Sequence, residues 1–160
     1  MTALSGETLS KLINKIPYIK NQFKGIVTRD LDLRPPNIVR AVPQIYIQNT
    51  GYARSGIHWI LLVFEKEACF LFDSYGRTPR ELFLENSIIQ PYKSIHYNPF
   101  QLQDNGSSVC GHWCIYILYH LNTLSIYQIN KFFTADHKKN DRIVLNFVSK
   151  LAKKWKIPLI

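Results

Sequence analysis

The stretch that most constrains this chain is Gln103-Asp-Asn-Gly-Ser-Ser-Val-Cys110-Gly-His-Trp-Cys-Ile-Tyr-Ile-Leu-Tyr-His120, a polar loop running into an apolar segment with a cysteine at the join. Trp113, Ile115, Tyr116, Ile117, Leu118, Tyr119 and Leu121 leave almost no polar side to a helix built from them, so that helix has to sit at the centre of a fold. Asn105-Gly106-Ser107-Ser108 supplies turn residues and a hydroxyl placed to cap the helix start. Cys110 then falls in the first turn, where unpaired amides and the positive end of the helix dipole favour thiolate over thiol and lower a pKa of about 8.5 toward neutrality. Gly111 beside it leaves room for another backbone to approach. A lone cysteine is ordinarily a small core residue, so what Cys110 does depends on what the rest of the chain brings to it.

The partner for such a helix is a sheet, and the sequence offers one. Ile57-His58-Trp59-Ile60-Leu61-Leu62-Val63-Phe64 predicts a strand and Glu65-Lys66-Glu67 a turn. Ala68-Cys69-Phe70-Leu71-Phe72-Asp73 predicts a second strand, closed by Ser74-Tyr75-Gly76. Near-continuous apolar character implies burial on both faces, hence the middle of the sheet. A two-residue turn at Glu65-Lys66 places His58 directly opposite Asp73 on one face. A three-residue turn puts Ser74 there instead and sends His58 and Asp73 to opposite faces.

Around this centre, Ser5-Gly6-Glu7-Thr8 opens a short helix with Leu9, Leu12, Ile13 and Ile16 on its apolar face, ended by Pro17. Residues from Tyr18 to Asp32 show no clear period, and Arg34-Pro35-Pro36 marks an irregular connection. Ile38 to Ile47 reads as extended, demoted to an edge strand at best by Pro43. Thr78-Pro79-Arg80-Glu81 is a capping-box pattern that opens a short helix through Leu84. Ser94 to Tyr97 predicts a further strand. Ser125 caps a short helix through Phe132, and Asn140 caps a last one with Ile143, Val144, Phe147, Leu151 and Trp155 inward. Lys150, Lys153, Lys154 and Lys156 lie on its other side, ordinarily a solvated face and here also the best local candidate for a phosphate-binding surface.

An apolar content of 46% and a charged content of 19% fit one globular domain over residues 1–160. No apolar run is long enough for a membrane span, and Met1-Thr-Ala-Leu-Ser-Gly lacks the regions of a signal peptide. Three cysteines cannot all pair within the chain, which with the missing signal points to free thiols and a reducing compartment. A net charge of +9 implies an anionic partner such as nucleic acid, or serves general solubility.

Nucleophilic catalysis by cysteine needs a thiolate, a base, an orienting group for the base and donors for the oxyanion. Cys110 offers the first. His58, alone among five histidines, has a hairpin partner ending in an acid, Asp73. The Cys110 amide is one oxyanion donor and Gln103 the natural second, with Gln101 as fallback and Asn105 too close along the turn. Taken singly, His58 and Asp73 would be structural; together with Cys110 they make a catalytic set. Metal binding by Cys110, His112 and Cys114 fails on a regular helix, where His112 points about 200° away from Cys110. A site of Cys110, Cys114 and His58 remains open, without a second Cys-x-x-Cys pair to complete a structural zinc. Cys69, Cys114, His96, His112, His120 and His137 default to core or surface roles.

Gly56-Ile57-His58-Trp59, then Phe72-Asp73-Ser74-Tyr75-Gly76, then Gln103 seven residues before Cys110-Gly111, resemble the adenovirus-type maturation protease (adenain) family. That group has virophage and Polinton-like relatives and is related to the proteases that process ubiquitin-like proteins. The likeness covers roughly Gly56 to Leu121. It implies an α+β, papain-like fold in which a central mixed sheet packs against the nucleophile-bearing helix. It also implies a cysteine endopeptidase working through a thioester: Cys110 attacks, His58 protonates the leaving amine, Asp73 orients His58 and Gln103 helps hold the oxyanion. Gly56 to Trp59 would form one wall of a narrow cleft that favours glycine-containing sites. The chemistry needs no cofactor or metal, although adenoviral members are stimulated by DNA and by a disulfide-tethered peptide. No cysteine lies between Cys69 and Cys110 for such a tether, and the acid is Asp73, as in the ubiquitin-like-protein proteases, where adenain typically has glutamate.

Three functions follow as expectations. The first is a monomeric protease that cuts viral capsid and core precursors during particle maturation, in the virion and the host cell interior, with double-stranded DNA as a further partner and no membrane. The second is a deconjugating protease for a ubiquitin-like modifier. The third is an inactive, basic DNA-binding packaging or scaffold protein.

Overall fold

The computed structural model describes residues 3–19, 21–28, 43–50, 58–82 and 92–159. Their centre is a five-stranded mixed sheet in the order β1-β2-β3-β4-β5, made of Phe23–Thr28, Gln44–Asn49, Trp59–Phe64, Ala68–Phe72 and Ser94–Tyr97. The inner pairs β2–β3 and β3–β4 are antiparallel, and the outer pairs β1–β2 and β4–β5 are parallel. β3 is the middle strand and is buried on both faces. Leu61 and Val63 join Ile45, Ile47 and Phe72 under the helices, while Ile60, Leu62 and Phe64 join Val27, Cys69, Leu71 and Leu82 on the other side. The apolar run of the hairpin therefore does what such a run requires, filling two cores at once.

The helices among the described residues are α1 (Gly6–Ile13), α2 (Cys110–His120), α3 (Ile126–Asn130) and α4 (His137–Trp155). Ser5 caps α1 through its hydroxyl, and Leu9, Leu12, Ile13 and Ile16 are all buried. Pro17 begins a single 3-10 turn rather than directly ending the helix. α2 is buried along nine consecutive residues from Cys110 to Leu118 and packs against both β3 and α4. The overall class is α+β as expected, a mixed sheet backed by the helix that carries Cys110.

Several local expectations change. β1 lies in the aperiodic segment after Tyr18, hidden from pattern reading by a bulge at Phe23/Gly25, where Gly25 has φ 128°. β2 is not an edge strand: it begins one residue after Pro43, so the proline costs no ladder bond, and it is paired on both sides. The last helix is capped by Asp136, not Asn140. Asn140 instead sits buried in its second turn, donating to the carbonyls of Leu102 and Thr134. Its inward stripe is Val144, Val148, Leu151 and Ala152, leaving Ile143 exposed. Ser125 caps α3 with a full capping box, but the helix stops at Asn130. The Thr78–Glu81 capping box also forms, with Thr78 N–H donating to the Glu81 carboxylate and Glu81 N–H to the Thr78 hydroxyl. The helix expected from Thr78 is a turn over Pro79 to Leu82, closed by a bond from the Leu82 N–H to the Thr78 carbonyl, while its end through Leu84, Arg34-Pro35-Pro36 and the start of the Ile38–Ile47 run lie outside the described residues.

Candidate active site

The hairpin register decides where His58 meets Asp73. The observed pairs are Phe64 with Cys69, Val63 with Phe70, Leu62 with Leu71 and Leu61 with Phe72, and Glu65 N–H donates to the Ala68 carbonyl. The turn therefore has two residues, but they are Lys66 and Glu67 rather than Glu65 and Lys66. That moves the register by two, so Asp73 continues opposite Ile60 and His58 becomes its diagonal neighbour, not its direct partner. An even shift preserves the alternation of faces, and diagonal neighbours on one face are within reach of long side chains. His58 and Asp73 accordingly meet, Nε2 to Oδ1, at 2.6 Å. The His58 backbone is pinned by a bond from Thr50 N–H to its carbonyl.

α2 brings the cysteine to the same place. Cys114, one turn into the helix, contacts the Trp59 carbonyl through its sulfur at 3.6 Å. Gly111 sits where a Cβ would press on Leu9, Trp59 and Leu4 at 3.2–3.4 Å. What the glycine admits is thus three side chains, not another backbone. Seated on β3 in this way, α2 delivers Cys110 to His58. With Nε2 bonded to Asp73, the imidazole is also within reach of Cys110, which acts on it by hydrogen bond and charge. The serines before the helix do not cap it in the expected way: Val109 occupies the cap position and offers no side-chain bond.

The electrostatics of the pair follow from burial and partners. Burial alone would push the His58 pKa down, but its hydrogen bonds to Asp73 and Cys110 and the negative charge on both outweigh that, and it stands above 6.5. Burial likewise pushes Asp73 up, yet bonds from His58 and Arg77 and their charges bring it down to about 2. Asp73 is fully buried. Its Oδ2 accepts from the Arg77 Nε at 2.7 Å and from the Arg77 backbone N–H, and its Oδ1 accepts from the Tyr75 N–H as well as from His58. Cys114 and Cys69 are free thiols in keeping with core residues: burial alone drives Cys69 up to about 12, and burial with the nearby charges of Cys110 and Asp73 drives Cys114 upward.

Residues that pattern reading passed over hold this cluster in place. Asn98 clamps the Asp73 backbone twice, accepting from its N–H and donating to its carbonyl. The Ser74 carbonyl accepts from the Leu102 and Gln103 amides, tying the 98–103 loop to the end of β4. Gly76, at φ 69°, is required there, since a Cβ would lie 2.4 Å from the Phe100 carbonyl carbon. Tyr75 stacks on the His58 ring with centroids 4.9 Å apart, and the Arg77 guanidinium lies over the Tyr75 ring at 5.6 Å from its centre. The four-residue spacing of Asp73 and Arg77 is a signal only on a helix, and this segment is a turn.

Gln103 is fully buried beside the cysteine-bearing turn. Its carbonyl accepts from Ser74, and its amide donates to the Ser107 carbonyl at 3.0 Å and the Tyr75 hydroxyl at 3.2 Å. Gln101 turns away, bonding the Gln103 carbonyl and Asn105. A cavity of about 740 Å³ opens over the cluster, lined by His58, Trp59, Tyr75, Ser107 and Cys110, with Leu4 and its neighbours at the start of α1 as the far wall. Trp59 thus forms part of a cleft wall, while Gly56 lies outside the described residues. Among the described residues, no group of three or more His, Cys, Asp or Glu side chains is arranged to hold a metal, and no helix is long and apolar enough to cross a membrane.

No protein-family model matches the sequence, and no curated protein matches it either. Solved structures do resemble it in shape. The ASFV pS273R protease aligns with a TM-score of 0.54 at 10% identity, over 89% of this chain and 66% of that one. ChlaDub1 from Chlamydia trachomatis gives 0.49 at 14% identity, over 74% and 65%. The Chlamydia trachomatis effector protein Cdu1 bound to ubiquitin gives 0.46 at 19%, over 68% and 55%. The chain therefore spans less than two thirds of the length of these proteins, and what it shares with the first of them is the fold of the papain-like, ubiquitin-like-protein-protease type.

Proposed function

We propose that this chain is a cysteine endopeptidase, with Cys110 as nucleophile, His58 as acid and base, Asp73 as orienting group and Gln103 in the oxyanion machinery. The observation that carries the reading is the placement of one buried imidazole between a helix-start sulfur and an ionised carboxylate, at the floor of an open cleft. In the first half-reaction the Cys110 sulfur bonds to the scissile carbonyl carbon, and the imidazolium of His58 gives its proton to the departing amine. In the second, His58 takes a proton from water, the hydroxide oxygen replaces sulfur at the acyl carbon, and the thiolate is restored. Asp73, held low in pKa, stays ionised throughout and stabilises the imidazolium without itself taking the proton. The Cys110 amide, at a helix start with no side-chain cap, supplies one oxyanion donor.

As substrate we favour the precursors of viral structural proteins, cut at glycine-containing sites. The adenain-like residues and the fold shared with a viral protease support this. The charge of +9 and the exposed Lys150, Lys153, Lys154 and Lys156 support stimulation by DNA. Deconjugation of a ubiquitin-like modifier is the second reading, favoured by aspartate rather than glutamate at position 73. Incubating the protein with capsid precursors and with a modifier-linked reporter, with and without DNA, separates the two by which is cut. Cys110→Ala should abolish cleavage with the fold intact, His58→Ala should nearly do so, and Asp73→Asn should leave partial activity. Cleavage that persists in purified Cys110→Ala overturns the mechanism, and an inert wild type leaves the basic scaffold protein as the better reading.

A further inference from the structure

We propose that the Tyr75 hydroxyl is an oxyanion donor of this site, polarised by Gln103 behind it. The proposal rests on the cysteine-peptidase reading and deepens it. An oxyanion next to the Cys110 sulfur requires an N–H or O–H that is still free to point at it. Gln103 has only two amide protons, and both are engaged, one by the Ser107 carbonyl at 3.0 Å and one by the Tyr75 oxygen at 3.2 Å. The phenol receives that bond on a lone pair and keeps its own proton. Among the described residues, its acceptor in the resting site is the Ser107 carbonyl, 3.5 Å away. An O–H···O bond of good strength spans about 2.5–3.0 Å, so this one holds the proton weakly.

Tyr75 is also placed to use it. Its ring is fixed by stacking on His58 at 4.9 Å, its backbone N–H is bonded to Asp73, and it lines the same cleft as Cys110. Burial and the charge of Cys110 both raise its pKa, so the phenol keeps its proton as a donor rather than ionising. As charge develops on the carbonyl oxygen of the substrate, the O–H rotates from Ser107 toward it and the Gln103 N–H strengthens the bond through the shared oxygen. No proton is transferred. The oxyanion gains a hydrogen bond that the ground-state carbonyl uses little, which lowers the barrier rather than tightening binding.

Tyr75→Phe keeps the stacked ring and removes only the hydroxyl. Two rates are compared on the purified full chain: hydrolysis of a fluorogenic peptide amide ending in Gly-Gly, and alkylation of Cys110 by iodoacetamide at the same pH. Alkylation needs the thiolate and forms no oxyanion. The expected result is a kcat lower by about 10²-fold with KM little changed, and an unaltered alkylation rate. Adding Gln103→Ala to Tyr75→Phe should cost far less than the product of the two single losses, because both act through one donor. A kcat that survives the substitution overturns the proposal. So does an alkylation rate that falls in step with kcat, which would make the hydroxyl a packing group for the His58 side of the site. A wild type that alkylates fast yet cleaves no peptide overturns the peptidase reading, and the role of the phenol falls with it.

Discussion

Asp73 is an ionised carboxylate with none of its surface in water, and at the scale of single residues its cost is met by a short inventory: one imidazole, one guanidinium and two backbone amides. Its folded pKa of about 2 lies below the usual 3.8. The stability this contributes is therefore present above 3.8 and is lost as the pH falls toward 2. Arg77→Met removes one of the two side-chain donors, so the folded pKa rises and the loss begins at a higher pH. Because the guanidinium is 37% exposed, the cost near neutrality belongs at the lower end of the roughly 1.5–3 kcal/mol expected for a hydrogen bond to a charged group. Urea melts at a series of pH values from 3 to 7 should show the acid limb of Arg77→Met displaced upward. Arg77→Lys should recover part of it, since lysine restores the charge but not the forked geometry. Superimposable acid limbs for Arg77→Met and wild type would show that His58 and the backbone suffice.

At the scale of elements, the question is what holds the loop before Cys110 in register with α2, and Asp141 on α4 is the answer. Its Oδ1 accepts from the Trp113 indole at 2.8 Å and its Oδ2 from the Asp104 N–H at 3.1 Å, so one buried side chain joins α4, α2 and the loop that carries Gln103 and Ser107. Asp141→Ala leaves a buried indole N–H unpaired and should cost roughly 3 kcal/mol, with Asp141→Asn milder because one oxygen remains. A double-mutant cycle with Trp113→Phe, read by thermal or urea unfolding, should show coupling above about 0.5 kcal/mol, and additive losses would deny the contact. This tie was illegible in the sequence, because an aspartate near a helix start reads as a capping or solvent residue. What was legible had apolar period behind it: α1, α2 and the β3–β4 hairpin with its doubly buried strands. The register was only half legible. Glu65-Lys66-Glu67 contains two overlapping two-residue turns of equal charge character, and the backbone chose the second. His58 and Asp73 were paired correctly in kind but as diagonal neighbours, because both choices keep the same face. Tyr75, Arg77 and Asn98 were out of reach for another reason: their roles are set by where the 98–103 loop crosses the end of β4, a contact between distant segments that no local pattern encodes.

Taken as a whole molecule, the chain carries two buried histidines that respond to acid in opposite senses. His58 is raised above 6.5 by its partners, so its contribution is complete below the unfolded value and disappears as the pH rises through the folded one. His112, on the same helix as Cys110, is buried with no hydrogen-bond partner at Nδ1 among the described residues, and burial alone lowers it to about 4. Between 6.5 and about 4 the unfolded chain binds a proton at this position that the folded chain refuses, so stability drains away as the pH falls through that window. Asp73 adds its own loss only below 3.8. The two effects are thus separated on the pH axis, and the mildly acidic one belongs to His112. His112→Leu puts an apolar side chain of smaller size into the same buried place on α2 and removes the titration. Its unfolding free energy should fall less steeply than that of wild type between pH 6.5 and 4, while the two run parallel below that range. A wild-type slope retained in His112→Leu would assign the acid sensitivity to other groups.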